Sequence, residues 1–154
     1  MRTLLALAIL LSVGLAAGKD PFVAPNAPKD TPTREDPATF DAAIAPYVAK
    51  ARKSYPAAKK RFLVGLPAKH SFFVTARLRD DKGNFELAFI AVDRIREGKV
   101  FGRVWTDLLL FPKLKQGHPY SLPEAELIDW LITDPDGSEE GNFVGKFLDS
   151  RQHH

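Results

Sequence analysis

Three carboxylates stand where strands could present them to a substrate: Glu86, Asp107 and Asp129. Paired acids on facing strands can do general acid–base work, one giving a proton while the other takes one. Asp129 lies in "ELIDWLITDPDG", residues 126–137, where Leu127, Asp129 and Leu131 alternate with Ile128, Trp130 and Ile132. On a strand the two sets point to opposite faces. An acid between two leucines has a raised pKa if it is buried. The competing reading makes Asp129 structural, accepting hydrogen bonds from a loop backbone or pairing with an arginine such as Arg103. Buried charges are normally paired and mostly structural, so this second reading is favoured.

Other chemistries have less to work with. The histidines are His70 at the start of a strand, His118 in a loop, and His153 and His154 at the chain end. No two of them show helical i, i+4 spacing inside the fold, so no metal site is expected, and no cofactor. With no cysteine, thiolate catalysis, Cys-type metal sites and disulfides are excluded. Ser71 follows His70, but neighbours on a strand face opposite ways, and G-x-S-x-G is absent. No Gly-rich loop leads into a helix, so nothing cradles a phosphate. Phe101, Arg103 and Trp105 alternate onto one strand face. An arginine between two aromatics reads as the rim of a core or as a ligand- and partner-binding patch.

These residues need a scaffold, and the chain supplies one after a leader. "MRTLLALAILLSVGLAAGKD" has Arg2, an apolar run from Leu4 to Leu11, and small residues at Gly14, Ala16, Ala17 and Gly18. That is the layout of a secretory signal peptide, residues 1–18, with cleavage after Ala16 or Gly18. The run falls short of the ~20 apolar residues of a membrane span. The mature protein is therefore expected to be periplasmic or secreted, with no stable transmembrane span. Residues 19–38 hold five prolines and read as a linker. A single domain over residues 39–151 follows.

Apolar content of 45% and charged content of 27% are ordinary for a globular chain. The net charge of +3, one less once Arg2 leaves with the signal, is too small to imply nucleic-acid binding. Its distribution is lopsided. Ala42 to Arg79 carries nine Lys or Arg and no acid, whereas Glu124 onward carries eight acids against Lys146 and Arg151. Either the two segments neutralise each other side by side, which is favoured, or the first forms a basic face for an anionic partner.

Two short N-terminal helices are expected. Pro46 suits the first turn of one, with Tyr47, Ala51 and Tyr55 on a face; Pro56 opens another, with Ala58, Phe62 and Leu66 repeating the spacing. Lys50, Lys53, Lys59 and Lys60 lie off these stripes and face water. Strands follow at "SFFVTARLR", "FELAFIAV", "VFGRVWTD", "YSL" and "LIDWLIT", separated by turns such as "DDKGN" and "DPDG". Gly102 marks a bulge or a close backbone approach. The last stretch, "GNFVGKFLDSR", is a short strand or helix. The expected fold is α+β, two helices packed on a curved antiparallel sheet of about five strands, with enough curvature for a small open barrel.

The ordered set "SFFVTARLRDD", "ELAFIAV", "GKVFGRV", "IDW" and "DGSEEGNFVGKFL" resembles the YegJ-like bacterial domain of unknown function over residues 47–148. The matched positions are Phe72, Val74, Gly102, Gly117, Asp129, Trp130, Gly141 and Asn142. Leu87, Phe89, Thr106, Leu108 and His118 depart from residues common in that family. The resemblance implies a fold and no established reaction.

The favoured function is a small exported binding module without catalysis. It would use Phe101, Arg103 and Trp105, together with the basic helices, to meet a protein or an anionic envelope component. The alternatives are a small enzyme built on Asp129 with Glu86 or Asp107, or an immunity-type protein that neutralises a toxin.

Overall fold

The structure is a computed structural model and describes residues 36–152. The expected signal and most of the expected linker, like His153 and His154, lie outside the described residues.

A single helix, α1, runs from Pro37 to Val64. Asp36 caps it, its carboxylate accepting from the Thr39 amide at 3.0 Å and the Thr39 hydroxyl at 3.2 Å. Pro37 occupies the first helical turn, where its missing N–H costs nothing. At the far end the Gly65 amide reaches the carbonyls of Arg61 and Phe62. The helix therefore begins two residues inside the expected linker.

The two expected helices are one, because Pro46 and Pro56 lie inside it. A proline in a helix interior costs roughly 3 kcal/mol. Here both prolines are exposed, as are Ala42 and Arg52, the residues whose carbonyls lose their i+4 donors. The opposite side of the helix buries Phe40, Ile44, Ala51, Tyr55 and Ala58. Each buried large side chain contributes about 1.5–3 kcal/mol, enough to carry the helix through both interruptions.

Six strands follow: β1 (Ser71–Arg79), β2 (Phe85–Arg96), β3 (Lys99–Val104), β4 (Pro119–Pro123), β5 (Asp129–Thr133) and β6 (Glu139–Gly141). A 3-10 turn, Glu124–Glu126, precedes β5, and helix α2 (Phe143–Gln152) closes the described chain. All pairings are antiparallel, in the order β4-β3-β2-β1-β5-β6. The sheet is open, with β4 and β6 at its edges, and not a barrel. The strand beyond the expected five is β6, formed where the turn at Asp134–Gly137 folds Glu139–Gly141 back onto β5.

One face of the sheet packs Phe72, Val74, Ile90, Val104, Trp130 and Ile132 against Ala51, Tyr55 and Ala58 of α1. The other buries Phe73, Phe89, Ala91 and Leu131 beneath half-buried Trp105. A third cluster joins the start of α1 to α2 through Phe40, Ile44, Phe85, Ile128 and Val144. All five residues of β5 are buried, so it is covered on both faces.

Candidate functional site

Asp129 has no exposed surface. Its Oδ1 accepts from the Trp130 amide at 2.8 Å and its Oδ2 from the Val144 amide at 2.6 Å. Val144 lies in the first turn of α2, where amides have no partner within the helix. The carboxylate thus caps α2 from a neighbouring strand. Burial, the largest influence, pushes its pKa up to about 6, against the pull of the Val144, Trp130 and Phe143 amides and the charge of Lys146.

The residues around it complete a junction. The Trp130 indole donates to the Ala51 carbonyl at 3.1 Å and to the Ser54 hydroxyl at 3.0 Å, tying β5 to α1. The Trp130 carbonyl accepts from the Asn142 amide at 2.8 Å. Buried Asn142 has a left-handed backbone, φ 53°, which turns the chain from β6 into α2, and its side chain donates to Glu139 at 2.7 Å. Asp129, Trp130, Gly141 and Asn142 therefore meet in one place. A pKa near 6 would suit an acid catalyst, but both oxygens are engaged by amides and no solvent reaches them.

Strand register separates the proposed dyad. Asp129 lies opposite Thr75, which lies opposite Phe89, while Glu86 lies opposite Leu78. Glu86 is three positions from Phe89, an odd offset, so Glu86 and Asp129 project from opposite faces. Glu86, also buried, accepts from the Leu109 amide at 2.9 and 3.1 Å and from the Leu110 amide at 3.0 Å. It pins the segment between β3 and β4, whose Leu108, Phe111 and Leu114 pack on the main core. Asp107 is exposed on that segment. Glu86→Ala should cost about 2 kcal/mol, the worth of hydrogen bonds to a charged acceptor. It should also raise hydrogen exchange at the Leu109 and Leu110 amides while leaving β5 protected. Unchanged exchange at those two amides would contradict this role.

The expected binding face divides in two. Phe101 and Arg103 line an open groove of about 350 Å³ across β3 and β4, with Asp93, Arg94, Pro119 and Ser121. Trp105 lies on the same face but outside this groove. It covers the second core cluster, its ring edge-on to Phe73 with centroids 6.3 Å apart. Arg103 is exposed and only loosely paired, its Nε 3.6 Å from Asp93.

Sequence reasoning missed Arg94. Strict alternation from Ala91, which faces Arg103, would send Arg94 to the other side of β2. A register shift between Val92 and Arg94 brings it round opposite Phe101 instead, its guanidinium 4.4 Å from the ring centre. The signal was Gly102, which marks a bulge or close approach, although the irregularity is in the facing strand.

The charged segments neutralise each other at several points. Lys59 pairs with Glu124 at 2.7 Å, Arg61 with Glu140 at 2.6 Å, and His70 faces Asp134 at 3.1 Å. Lys59 is therefore not simply solvated as expected. His118 accepts from the Lys115 amide. Among the described residues no three His, Asp or Glu side chains gather as a metal site would require, and no helix is long and apolar enough to cross a membrane. No family model, curated protein or solved structure matches this chain.

Proposed function

We propose that the chain is an exported binding module, acting without catalysis, whose working surface is the groove across β3 and β4. The observation that carries this reading is Arg94 held over the Phe101 ring beside loosely paired Arg103. Cation–π contact fixes a guanidinium without consuming its hydrogen-bond donors. An exposed ion pair at 3.6 Å is worth little and yields readily to a better anion. The groove then suits a carboxylate or phosphate group flanked by apolar surface, offered by a protein or by an envelope component. The leader-like residues 1–18 and the resemblance to the YegJ-like domain support export and a bacterial setting; neither supplies a reaction.

The test is capture from an envelope fraction by the wild type and by Arg94→Glu/Arg103→Glu. Both arginines lie at the surface, so folding should be unaffected. The charge-reversed protein should lose its partner at least about tenfold, and wild-type capture should weaken with added salt, as for contacts between exposed charges. Equal capture by both proteins would remove the groove from the account.

A further inference from the structure

We propose that a second groove, along the first half of α1, binds a small aliphatic carboxylate independently of the surface across β3 and β4. β5 pairs with β1 only as far as Thr75, so beyond it the flank of β1 meets α1 instead of a strand. The resulting groove, about 420 Å³, has Ile44, Val48 and Ile128 as its apolar wall and Asp41, Arg52 and Arg77 as its polar one. That volume lies within the ~300–1,000 Å³ of small-molecule sites.

The polar wall has unspent capacity. Arg77 is mostly buried, its guanidinium 4.8 Å from the Phe85 ring centre and 5.5 Å from that of Phe40. A terminal guanidinium nitrogen of Arg77 is ion-paired with Asp41 Oδ1, while its buried Nε has no hydrogen-bond partner among the described residues. Buried polar atoms are paired in the great majority of cases, so a buried guanidinium donor left over beside the groove calls for an acceptor that the described residues do not provide. Arg52 spends one donor, Nε, on the Leu127 carbonyl at 3.3 Å and has no carboxylate partner among the described residues. With Arg79 at 4.0 Å from Asp41, three guanidiniums stand against one acid. A carboxylate head on Arg52 and Arg77 restores the balance, since arginine and carboxylate pair through two parallel hydrogen bonds. An alkyl tail along Ile44, Val48 and Ile128 satisfies the apolar wall.

Sodium octanoate titrated into the chain, with the methyl signals of Ile44, Val48 and Ile128 followed by NMR, tests the proposal. Acetate supplies the head without the tail, and octanol the tail without the charge. Octanoate should give saturable shifts at those three residues, with acetate and octanol at least about tenfold weaker. Arg52→Gln should weaken octanoate at least about tenfold, because a guanidinium pairs with carboxylate through two charged hydrogen bonds. Arg103→Glu should leave it unchanged. Val48→Glu, which puts an acid on the apolar wall, should abolish the shifts. Octanol binding as tightly as octanoate, Arg52→Gln or Val48→Glu behaving as wild type, or no saturable shift at these methyls would each overturn it.

Discussion

Asp129→Ala is expected to lose about 2–6 kcal/mol of folding stability, because truncation leaves two buried amides without an acceptor at about 1–3 kcal/mol each. Those amides are Trp130 N and Val144 N. The loss should fall on α2 first, seen as faster hydrogen exchange over Phe143–Gln152 than over β1. Asp129→Asn keeps one acceptor but turns an NH₂ donor toward the other amide, so an intermediate loss is expected at pH 7. The pH dependence separates the charge from the geometry. The native carboxyl titrates at about 6, raised from an ordinary 3.8 by burial. A group that holds its proton more tightly when folded gives stability that is complete below the unfolded value and lost as pH rises through the folded one. Wild-type stability should therefore decline between about pH 4 and pH 6 by an amount on the order of 3 kcal/mol, since each tenfold gain in proton affinity on folding is worth about 1.4 kcal/mol. Asp129→Asn cannot ionise there and should lack that decline. Parallel profiles for the two proteins would show that this carboxyl is not its source.

The fate of Asp129 was half legible. Alternation in "LIDWLIT" places Asp129 with Leu131 and Trp130 with Ile132 on opposite faces, and the packing agrees. The favoured reading has Asp129 accept from a loop backbone; the acceptor role agrees, but the donors lie in β5 itself and in the first turn of α2. The donor was not foreseeable, because Val144 is fifteen residues away and reaches Asp129 only after β6 and the left-handed turn at Asn142. Arg103, the suggested alternative partner, faces Asp93 instead.

The helix was legible and misread. Tyr47, Ala51, Tyr55, Ala58, Phe62 and Leu66 advance by four, four, three, four and four residues, one uninterrupted stripe of helical period across Pro56. Local proline chemistry argued for a break there, and the phase of the stripe argued against one. Tertiary burial decided it, since both prolines turn to solvent while Ala51, Tyr55 and Ala58 enter the core. β6 failed for the opposite reason. Glu139 and Glu140 have no strand preference, and only pairing with Thr133 and Ile132 makes them one. A three-residue edge strand is defined by its neighbour and leaves little trace of its own.

Gly102→Ala should place a strongly disruptive methyl within the sheet. A Cβ at this position would lie 2.1 Å from the Ala91 carbonyl oxygen and 2.9 Å from Ile90 Cγ2. Backbone carbonyls cannot swing aside as a side chain can, so β3 must retreat from β2 to reach ordinary contact. That strains the pairing at Val92↔Gly102 and Ala91↔Arg103 and loosens buried Val100 and Val104. Overpacking of this kind typically costs about 1–3 kcal/mol, and a backbone clash stands at or beyond the upper end, so a loss of about 3 kcal/mol is expected. Gly117→Ala is the control. It has a left-handed φ of 88° but open space where its Cβ would go, and should lose only about 1 kcal/mol. Urea midpoints for the two variants read the difference. The same displacement carries Phe101 and Arg103 with it, because they flank Gly102 on β3, so the pairing of Arg94 with the Phe101 ring should loosen too. Gly102→Ala should therefore show shifted Phe101 ring signals even at temperatures where it remains folded, while Gly117→Ala should not. A Gly102→Ala protein as stable as wild type, with its Phe101 signals in place, would mean that β2 and β3 have slack at the bulge and that the close approach does not hold Arg94 against the ring.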